Sequence, residues 1–319
     1  MHAGCAPRAK GVAFASEKRA GCSLGRFSHA GFVPLASLAS FARGDDPNMM
    51  RLAVGVEYDG TAYAGWQTQQ SARSVQQVAE DAFSLIAAEP VGLICAGRTD
   101  AGVHARWQVA HFDTNANRRL RAWLLGANSE LPADVSIPWI RPVPMHFHAR
   151  YSAEARTYRY LILNRGIRSA FAANRAAFIF RPLDSDRMAE AATALVGSHD
   201  FSAFRSAQCQ AKSPIRRMEK LTVVRRGEWI TIEATANAYL HHMMRNIAGL
   251  LIAIGRGDGT PARAREVLEG RDRKQNAATA PAEGLYFWGV RYPSAFSLPV
   301  PPEDDPGGGP AIRYHPPHQ

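Results

Sequence analysis

The sequence predicts an α/β protein in which two halves share one extended β-sheet, with a groove between them. Two observations support this fold class. The order strand, helix, strand occurs twice along the chain. The 319 residues, 46% apolar and 21% charged, have the balance of a globular protein that is long enough for two ordinary domains. Side chains from both halves are therefore expected to line the groove.

The first half, residues 50–150, alternates between strand and helix patterns. One helix is marked by Ser74, a suitable N-cap, and by Gln77 at the capping-box position. Apolar residues follow at helical spacing and are expected to face the sheet. In chain order, the predicted elements are a strand at Leu52–Tyr58, the helix after Ser74, a strand at Gln108–Asp113, a helix over Leu120–Leu125 that ends near Asn128, and an extended, proline-rich segment that reaches Arg150.

The second half, residues 151–298, repeats this alternation. Its first strand is rich in β-branched and aromatic residues and is predicted to bury one face. Asp184 is a suitable N-cap for the next helix, and Gly197 is a suitable end for it. In chain order, the predicted elements are a strand at Thr157–Leu163, the helix from Asp184 to Gly197, a hairpin of Leu221–Arg225 and Trp229–Ala236, helices at Leu240–Ile254 and Ala262–Gly270, and a strand at Leu285–Tyr292.

The two ends of the chain are predicted to lie outside this fold. Residues 1–49 show little hydrophobic periodicity and are rich in Ala, Gly, Ser and Arg. We favour a wrongly assigned start site for this extension, and we leave open a disordered basic arm that touches RNA or a targeting peptide. Residues 299–319 are rich in Pro and Gly and are predicted to be disordered.

Charge and cysteine content narrow the class of protein. Lys and Arg (38) exceed Asp and Glu (28) by ten, and the sequence pI is about 9.8, as expected for a protein that holds a polyphosphate backbone. A positive net charge alone does not identify nucleic acid as the binding partner. The four cysteines form no CxxC pair, which predicts reduced thiols and a cytoplasmic protein. No apolar run approaches about twenty residues, so we expect no membrane span.

The loop from Gly97 to His104 is the most informative stretch of the chain. It reads Gly-Arg-Thr-Asp-Ala-Gly-Val-His between two apolar runs, which predicts a sharp loop between buried strands. Such a loop can hold the Asp100 carboxylate in place, with Arg98 two residues away to modulate its charge. The plainer alternative is a turn in which Asp100 only bonds its own backbone.

Several separated segments resemble the tRNA pseudouridine synthase A family. The resemblance extends from Arg51 to about Leu298, and the segments occur in the family's order. They are Glu57–Gly60 with Gly65–Gln67, Gly97–His104 with Gln108–Phe112, Phe147–Arg150, Tyr158–Tyr160, Asp200-Phe201 with Phe204-Arg205, His241–Met243 with Arg245-Asn246, and Glu283–Tyr286.

This resemblance implies a fold, a reaction and a partner. The fold is the pseudouridine synthase fold, with two ferredoxin-like halves on one mixed sheet. The reaction is isomerisation of uridine to pseudouridine at positions 38, 39 and 40 in the tRNA anticodon stem-loop. The family acts on tRNA as a homodimer. Neither a metal nor an organic cofactor is expected, because no metal-spaced ligand set or nucleotide-binding glycine loop is present.

The resemblance also assigns roles to five residues. Asp100 matches the catalytic nucleophile, and Arg205 is matched to the cation that pairs with it. Tyr158 matches the tyrosine that stacks on the target base and has been proposed as the general base. Leu285 matches the apolar wall against that base, and Arg98 matches the residue that enters the helix where the nucleotide flips out. Without the resemblance, Tyr158 and Leu285 would be interpreted as core residues of their strands.

Two pairs of polar residues near the apolar helix have several possible roles. Arg245 and Asn246 are expected to bind substrate phosphate or to brace the catalytic loop. His241 and His242 invite a metal site, which we disfavour because adjacent helical residues point about 100° apart and no third ligand stands at metal spacing. Basic residues between positions 216 and 226 are either a solvated face or an RNA contact.

Three other functions compete with an RNA isomerase. A non-catalytic RNA-binding module would explain the charge and the fold, but it would not need Asp100, Arg205 and Tyr158 together. An aspartic protease would need a second Asp-Thr/Ser-Gly loop, which the sequence lacks. A nucleosidase would release free uracil, which product analysis would show.

Overall fold

The computed structural model describes residues 49–301, which belong to one compact unit. The prediction for residues 1–49 therefore lies outside the described residues except at Met49, and the prediction for the tail lies outside them beyond residue 301. No helix within residues 49–301 is long and apolar enough to cross a membrane.

Eleven strands of the described residues form a single mixed sheet. The central path runs β4-β1-β3-β11-β6-β10-β9-β8, while β2 pairs with β3, β5 with β1 and β7 with β6. The strands are β1 (Met50–Tyr58), β2 (Ile94–Cys95), β3 (His104–Thr114), β4 (Val135–Ser136), β5 (Ile140–Val143), β6 (Ala155–Asn164), β7 (Ala177–Ile179), β8 (Gly197–Asp200), β9 (Ile215–Arg226), β10 (Trp229–Ala236) and β11 (Leu285–Arg291).

The two predicted halves meet at β11, the last of the described strands in chain order. It runs antiparallel to β6, with Phe287 opposite Tyr158, and parallel to β3, with Tyr286 opposite His104. A strand from the far end of the second half thus bridges the first half and the rest of its own half. The predicted α/β class with one shared sheet is confirmed, whereas the division of the chain at residue 150 stays a prediction.

Five α-helices within residues 49–301 pack into one continuous apolar core with the sheet. Both predicted caps form: Ser74 Oγ accepts from the Gln77 N–H at 3.2 Å, and the Asp184 carboxylate accepts from the next turn's N–H groups at 3.0 Å. The helices are α1 (Val75–Ala87), α2 (Leu120–Glu130), α3 (Ser185–Thr193), α4 (Met243–Gly255) and α5 (Arg263–Gly270).

The structure shifts two predicted helix boundaries. The helix predicted from Leu240 begins at Met243, because His242 is left-handed, with a φ of 62°, and ends the preceding connection. The helix predicted to reach Gly197 ends at Thr193, and Gly197 itself opens β8 with a φ of 118°. The first shift matters for the site, since it places His241 and His242 ahead of α4 and not on its surface.

Candidate active site

The loop that carries Asp100 joins β2 to β3 and is held from outside by the Gly65-Trp66 segment. The Trp66 N–H donates to the Thr99 carbonyl at 3.1 Å, and the Gly102 N–H donates to the Tyr63 carbonyl at 3.3 Å. Gly65 has a φ of 94°, and a Cβ added to it would lie 2.5 Å from the Thr99 oxygen. Only glycine fits this close approach, so this motif acts as a brace for the loop.

Buried polar contacts fix the start of the same loop. The Gln108 amide donates to the Gly97 carbonyl at 2.6 Å and accepts from the Gly97 N–H at 3.4 Å. The hydroxyls of Tyr58 and Thr99 share a buried hydrogen bond of 2.8 Å. Asp100 therefore projects from a backbone that is anchored on both sides, as preorganisation of a reactive group requires.

The Asp100 carboxylate faces three nitrogen-bearing side chains from one segment. Arg245 Nη1 lies 3.3 Å from Oδ2, His241 Nε2 lies 3.4 Å from Oδ1, and His242 Nε2 lies 3.4 Å from Oδ2. Arg245 is aimed by a second bond, from its Nε to the Ala280 carbonyl at 2.9 Å. The carboxylate keeps 25% of its side-chain exposure, so it is both paired with a cation and open to a reactant.

The two histidines beside Asp100 lie face to face, with ring centroids 4.0 Å apart. Burial lowers the pKa of the His242 imidazole below its usual range. The Asp100 carboxylate opposes this change in pKa, and the neighbouring His241 imidazole and the Arg245 guanidinium add to it. His242 is accordingly neutral at physiological pH.

Arg205 does not pair with Asp100, and that prediction is wrong. Its guanidinium is half-buried and donates to the Cys209 carbonyl at 2.9 Å. The pairing is made by Arg245, which the sequence analysis assigned to phosphate binding or bracing. The reason is position: Arg245 lies in the first turn of α4 and points at the loop, whereas Arg205 follows a short 3₁₀ turn and folds onto its own segment.

Tyr158 lies on β6 and is 8% exposed. Its ring packs between those of Tyr239 and Phe287, with centroid-to-centroid distances of 4.7 Å and 5.0 Å. Burial raises the pKa of its hydroxyl far above the usual range, and the negative charge of Asp100 adds to the rise in pKa. Tyr158 and Asp100 are thus close enough to interact electrostatically, and the predicted role of Tyr158 at the target base stays a prediction. The phenol is protonated in the free protein, so it has no preformed tyrosinate to offer as a base.

Leu285 and Arg98 occupy different surroundings. Leu285 opens β11 opposite Tyr160, on the sheet face that it shares with Phe287 and Tyr158, and it is buried. Arg98 is exposed two residues before Asp100. Their predicted roles as the wall against the base and as the side chain that enters the RNA helix stay predictions.

Asn246 is placed away from substrate. It is 1% exposed and donates to the Phe204 carbonyl at 2.7 Å. The Oδ1 atom of its side-chain amide accepts hydrogen bonds from the Arg273 guanidinium at 3.1 Å and from the Thr279 hydroxyl at 2.7 Å. The predicted substrate contact is wrong for this residue, because protein groups already occupy its amide. Asn246 braces α4 and hence the turn that carries Arg245.

Arg156 is a residue of the site's framework that the sequence analysis missed. It is 8% exposed and donates to the carbonyls of Ala96, Ala153 and Asn237 at 2.8 to 3.4 Å, and also to that of Arg150. One guanidinium thus ties together the start of the Asp100 loop, the crossover between the halves and the connection to His241. The only sequence signal for Arg156 was its place two residues before Tyr158. That place does not predict which carbonyl groups its guanidinium binds.

His241 and His242 do not lie where the helix pattern predicted. The two residues are not helical neighbours, and Asp100 supplies the third group from a distant loop. One ligand atom from each of Asp100, His241 and His242 lies within 4.8 Å of the others. Among the described residues, this is the group of side chains with the composition and spacing to hold a metal ion.

The anchored Asp100 carboxylate, its Arg245 partner and the neighbouring Tyr158 form the candidate active site, on the mixed sheet of a pseudouridine synthase fold. Comparison with known proteins agrees. A family model described as tRNA pseudouridine synthase matches residues 55–152 and 191–293. The chain therefore belongs to the tRNA pseudouridine synthase family.

Curated relatives named tRNA pseudouridine synthase A share about half of their residues with this chain. The protein from Pseudomonas aeruginosa is 52% identical over 268 residues, which cover 84% of this chain and 93% of the relative. The protein from Methylococcus capsulatus is 55% identical over 249 residues, or 78% and 92% of the two chains. The protein from Hydrogenovibrio crunogenus is 52% identical over 251 residues, or 79% and 96%.

Proposed function

We propose that this protein isomerises uridine to pseudouridine at positions 38, 39 and 40 in the anticodon stem-loop of tRNA. The observation that carries the proposal is the Asp100 carboxylate, held by an anchored loop against Arg245 and beside Tyr158, in a chain of this family. A non-catalytic RNA-binding module would have no use for this arrangement. The positions within tRNA come from the resemblance alone.

The reaction needs little beyond this carboxylate and an enclosing pocket. The bond between C1′ of the ribose and N1 of uracil breaks, the base turns, and a bond forms between C1′ and C5. The C5 proton leaves and N1 gains a proton, so no electrons are gained or lost. Asp100, paired with Arg245 at 3.3 Å, attacks or assists at the sugar. Tyr158 and Leu285 supply apolar surface that keeps the freed base in the pocket.

The target uridine must leave the helical stack before Asp100 can reach its sugar. Reacting atoms in a stacked stem are inaccessible, so enzymes of this kind flip the nucleotide out. We assign to Arg98, which is exposed and two residues from Asp100, the role of filling the space that the base leaves, as the resemblance implies. Arg245 then serves Asp100 and not phosphate, and binding energy comes from basic groups elsewhere.

The protein is further proposed to act in the cytoplasm as a homodimer. An L-shaped RNA must be held at a distance from the modified base, and two basic surfaces give a longer platform than one. Sedimentation at working concentration should give twice the chain mass of 34.8 kDa. A strictly monomeric active enzyme rejects the dimer and leaves the reaction standing.

The test uses tRNA transcripts that carry tritium at C5 of uridine. Wild-type protein should release tritium to water and yield pseudouridine at one or more of the three positions. A matched transcript with cytidine at all three positions should bind and release none. Asp100→Asn should bind both transcripts within about tenfold of wild type and release none. Turnover by the purified variant, or pseudouridine only elsewhere in the tRNA, contradicts the proposal.

A further inference from the structure

The Asp100–His241–His242 cluster has a spacing that pairing alone does not explain. Both imidazole nitrogens lie 3.4 Å from a carboxylate oxygen, which is longer than the 2.7–3.2 Å of a good N–H···O hydrogen bond. The side chains are 25% to 36% exposed, so the cluster is open to solvent. The left-handed backbone at His242 turns both rings toward the same carboxylate.

This spacing suits a tetrahedral metal ion. Bonds of about 2.1 Å from zinc to nitrogen or oxygen place neighbouring ligand atoms about 3.4 Å apart. His241 Nε2 lies at that distance from Oδ1 of Asp100 and His242 Nε2 lies at that distance from Oδ2, and one ligand atom from each of the three residues lies within 4.8 Å of the others. Two imidazoles and one carboxylate are ligands for zinc, cobalt or copper and not for magnesium, which prefers oxygen. The exposure of the cluster leaves a fourth position open to water.

From this geometry, we propose that Asp100, His241 and His242 bind a divalent transition ion of the zinc type, and that the bound ion inhibits the enzyme. The guanidinium of Arg245 shares the same carboxylate, so binding is weaker and more reversible than at a closed structural zinc site. A metal on Asp100 occupies the lone pairs that must act at the ribose. The inhibition rests on the proposed role of Asp100, whereas the binding does not.

Cobalt(II) tests the binding without reference to activity. Untagged full-length protein titrated with cobalt(II) should show the visible absorption bands of a tetrahedral ion, and zinc should displace them. Because the chain has 11 His and 4 Cys, variants must assign the site. His241→Gln, His242→Gln and Asp100→Asn should each lose the bands. His146→Gln, which removes an exposed imidazole on another segment, should keep them.

Two outcomes overturn the binding proposal: no saturable bands in wild type, or bands that survive in the variants of the cluster. Each variant is first compared with wild type by its thermal unfolding. If one of them does not fold, the remaining two decide the question. An excess of a prefolded RNA hairpin with a target uridine should also suppress the bands, since RNA and metal would share one site.

Tritium release then tests inhibition. Zinc should inhibit wild type, EDTA should reverse the effect, and the inhibition should weaken as the concentration of the hairpin rises. The zinc concentration for half-inhibition is measured against each protein's own zinc-free rate. For His241→Gln it should be at least tenfold higher than for wild type. Metal binding with no loss of turnover overturns the inhibition. A wild-type protein with no turnover at all counts against the proposed function, and the cobalt result still decides whether the metal site exists.

Discussion

Replacing Arg245 by Gln tests whether this guanidinium is the partner that keeps Asp100 reactive. The two charges are 3.3 Å apart, and their side chains are 17% and 25% exposed. Coulomb's law with an effective dielectric constant of 20 gives an upper bound of about 5 kcal/mol at this distance. Solvent exposure and the cost of desolvating both groups reduce it, and charged hydrogen bonds contribute about 1.5–3 kcal/mol in practice.

A loss of about 2–3 kcal/mol from the transition state corresponds to a rate about 30- to 150-fold lower. We expect this loss in single-turnover tritium release with RNA in excess over its dissociation constant, and a much smaller change in RNA affinity. Arg205→Gln is the matched control. Among the contacts described for it, the Arg205 guanidinium bonds only the Cys209 carbonyl, so this substitution should change the rate less than about threefold.

Arg245→Lys adds a second comparison. The ammonium keeps the charge, but a single nitrogen cannot hold both Asp100 and the Ala280 carbonyl as the guanidinium does. Its rate should lie between those of wild type and Arg245→Gln. If Arg245→Gln keeps more than a third of the wild-type rate, or if Arg205→Gln loses as much as Arg245→Gln, the assignment of the Asp100 partner is refuted.

Three further predictions concern chemistry, framework and binding. Tyr158→Phe keeps the ring and deletes the hydroxyl, so single-turnover rate should fall much more than RNA affinity, and equal losses would limit Tyr158 to binding. Arg156→Lys should lower both the thermal midpoint and the rate, because an ammonium cannot reach four carbonyls from three chain segments; an unchanged midpoint would contradict the role as a tie. Binding of tRNA should weaken steeply with salt as phosphate contacts release counterions, and a flat salt dependence in a filter-binding titration would argue against a phosphate-dominated interface.

Local features were predictable from the sequence because they depend on neighbouring residues. Ser74 and Asp184 cap helices through bonds to N–H groups two or three residues away, and both caps form. The Asp100 loop stood out because glycines and polar residues interrupt two apolar runs. The Gly65-Trp66 segment was part of the resemblance, but its contact with the loop was not predicted.

The partner of Asp100 was not predictable in the same way. Arg245 is 145 residues away, and hydrophobic periodicity does not show which arginine a folded chain turns toward a given loop. The left-handed conformation of His242 was also hidden, since the helix predicted over Leu240–Ile254 included it. Without that turn, the two histidines would not face one carboxylate. These errors arose where distant contacts and one backbone angle determine the site.

The central position of β11 also affects how the protein is made. While the chain is being synthesised, β3 emerges long before β11, so one edge of the first half stays unpaired until residues 285–291 leave the ribosome. Open strand edges invite pairing with other chains. The nascent protein thus has an aggregation-prone edge that only its own late strand covers. Tyr158, which packs against Phe287 of that strand, gains its neighbour at the same moment, so a chain stopped short of β11 leaves one side of the Tyr158 ring uncovered.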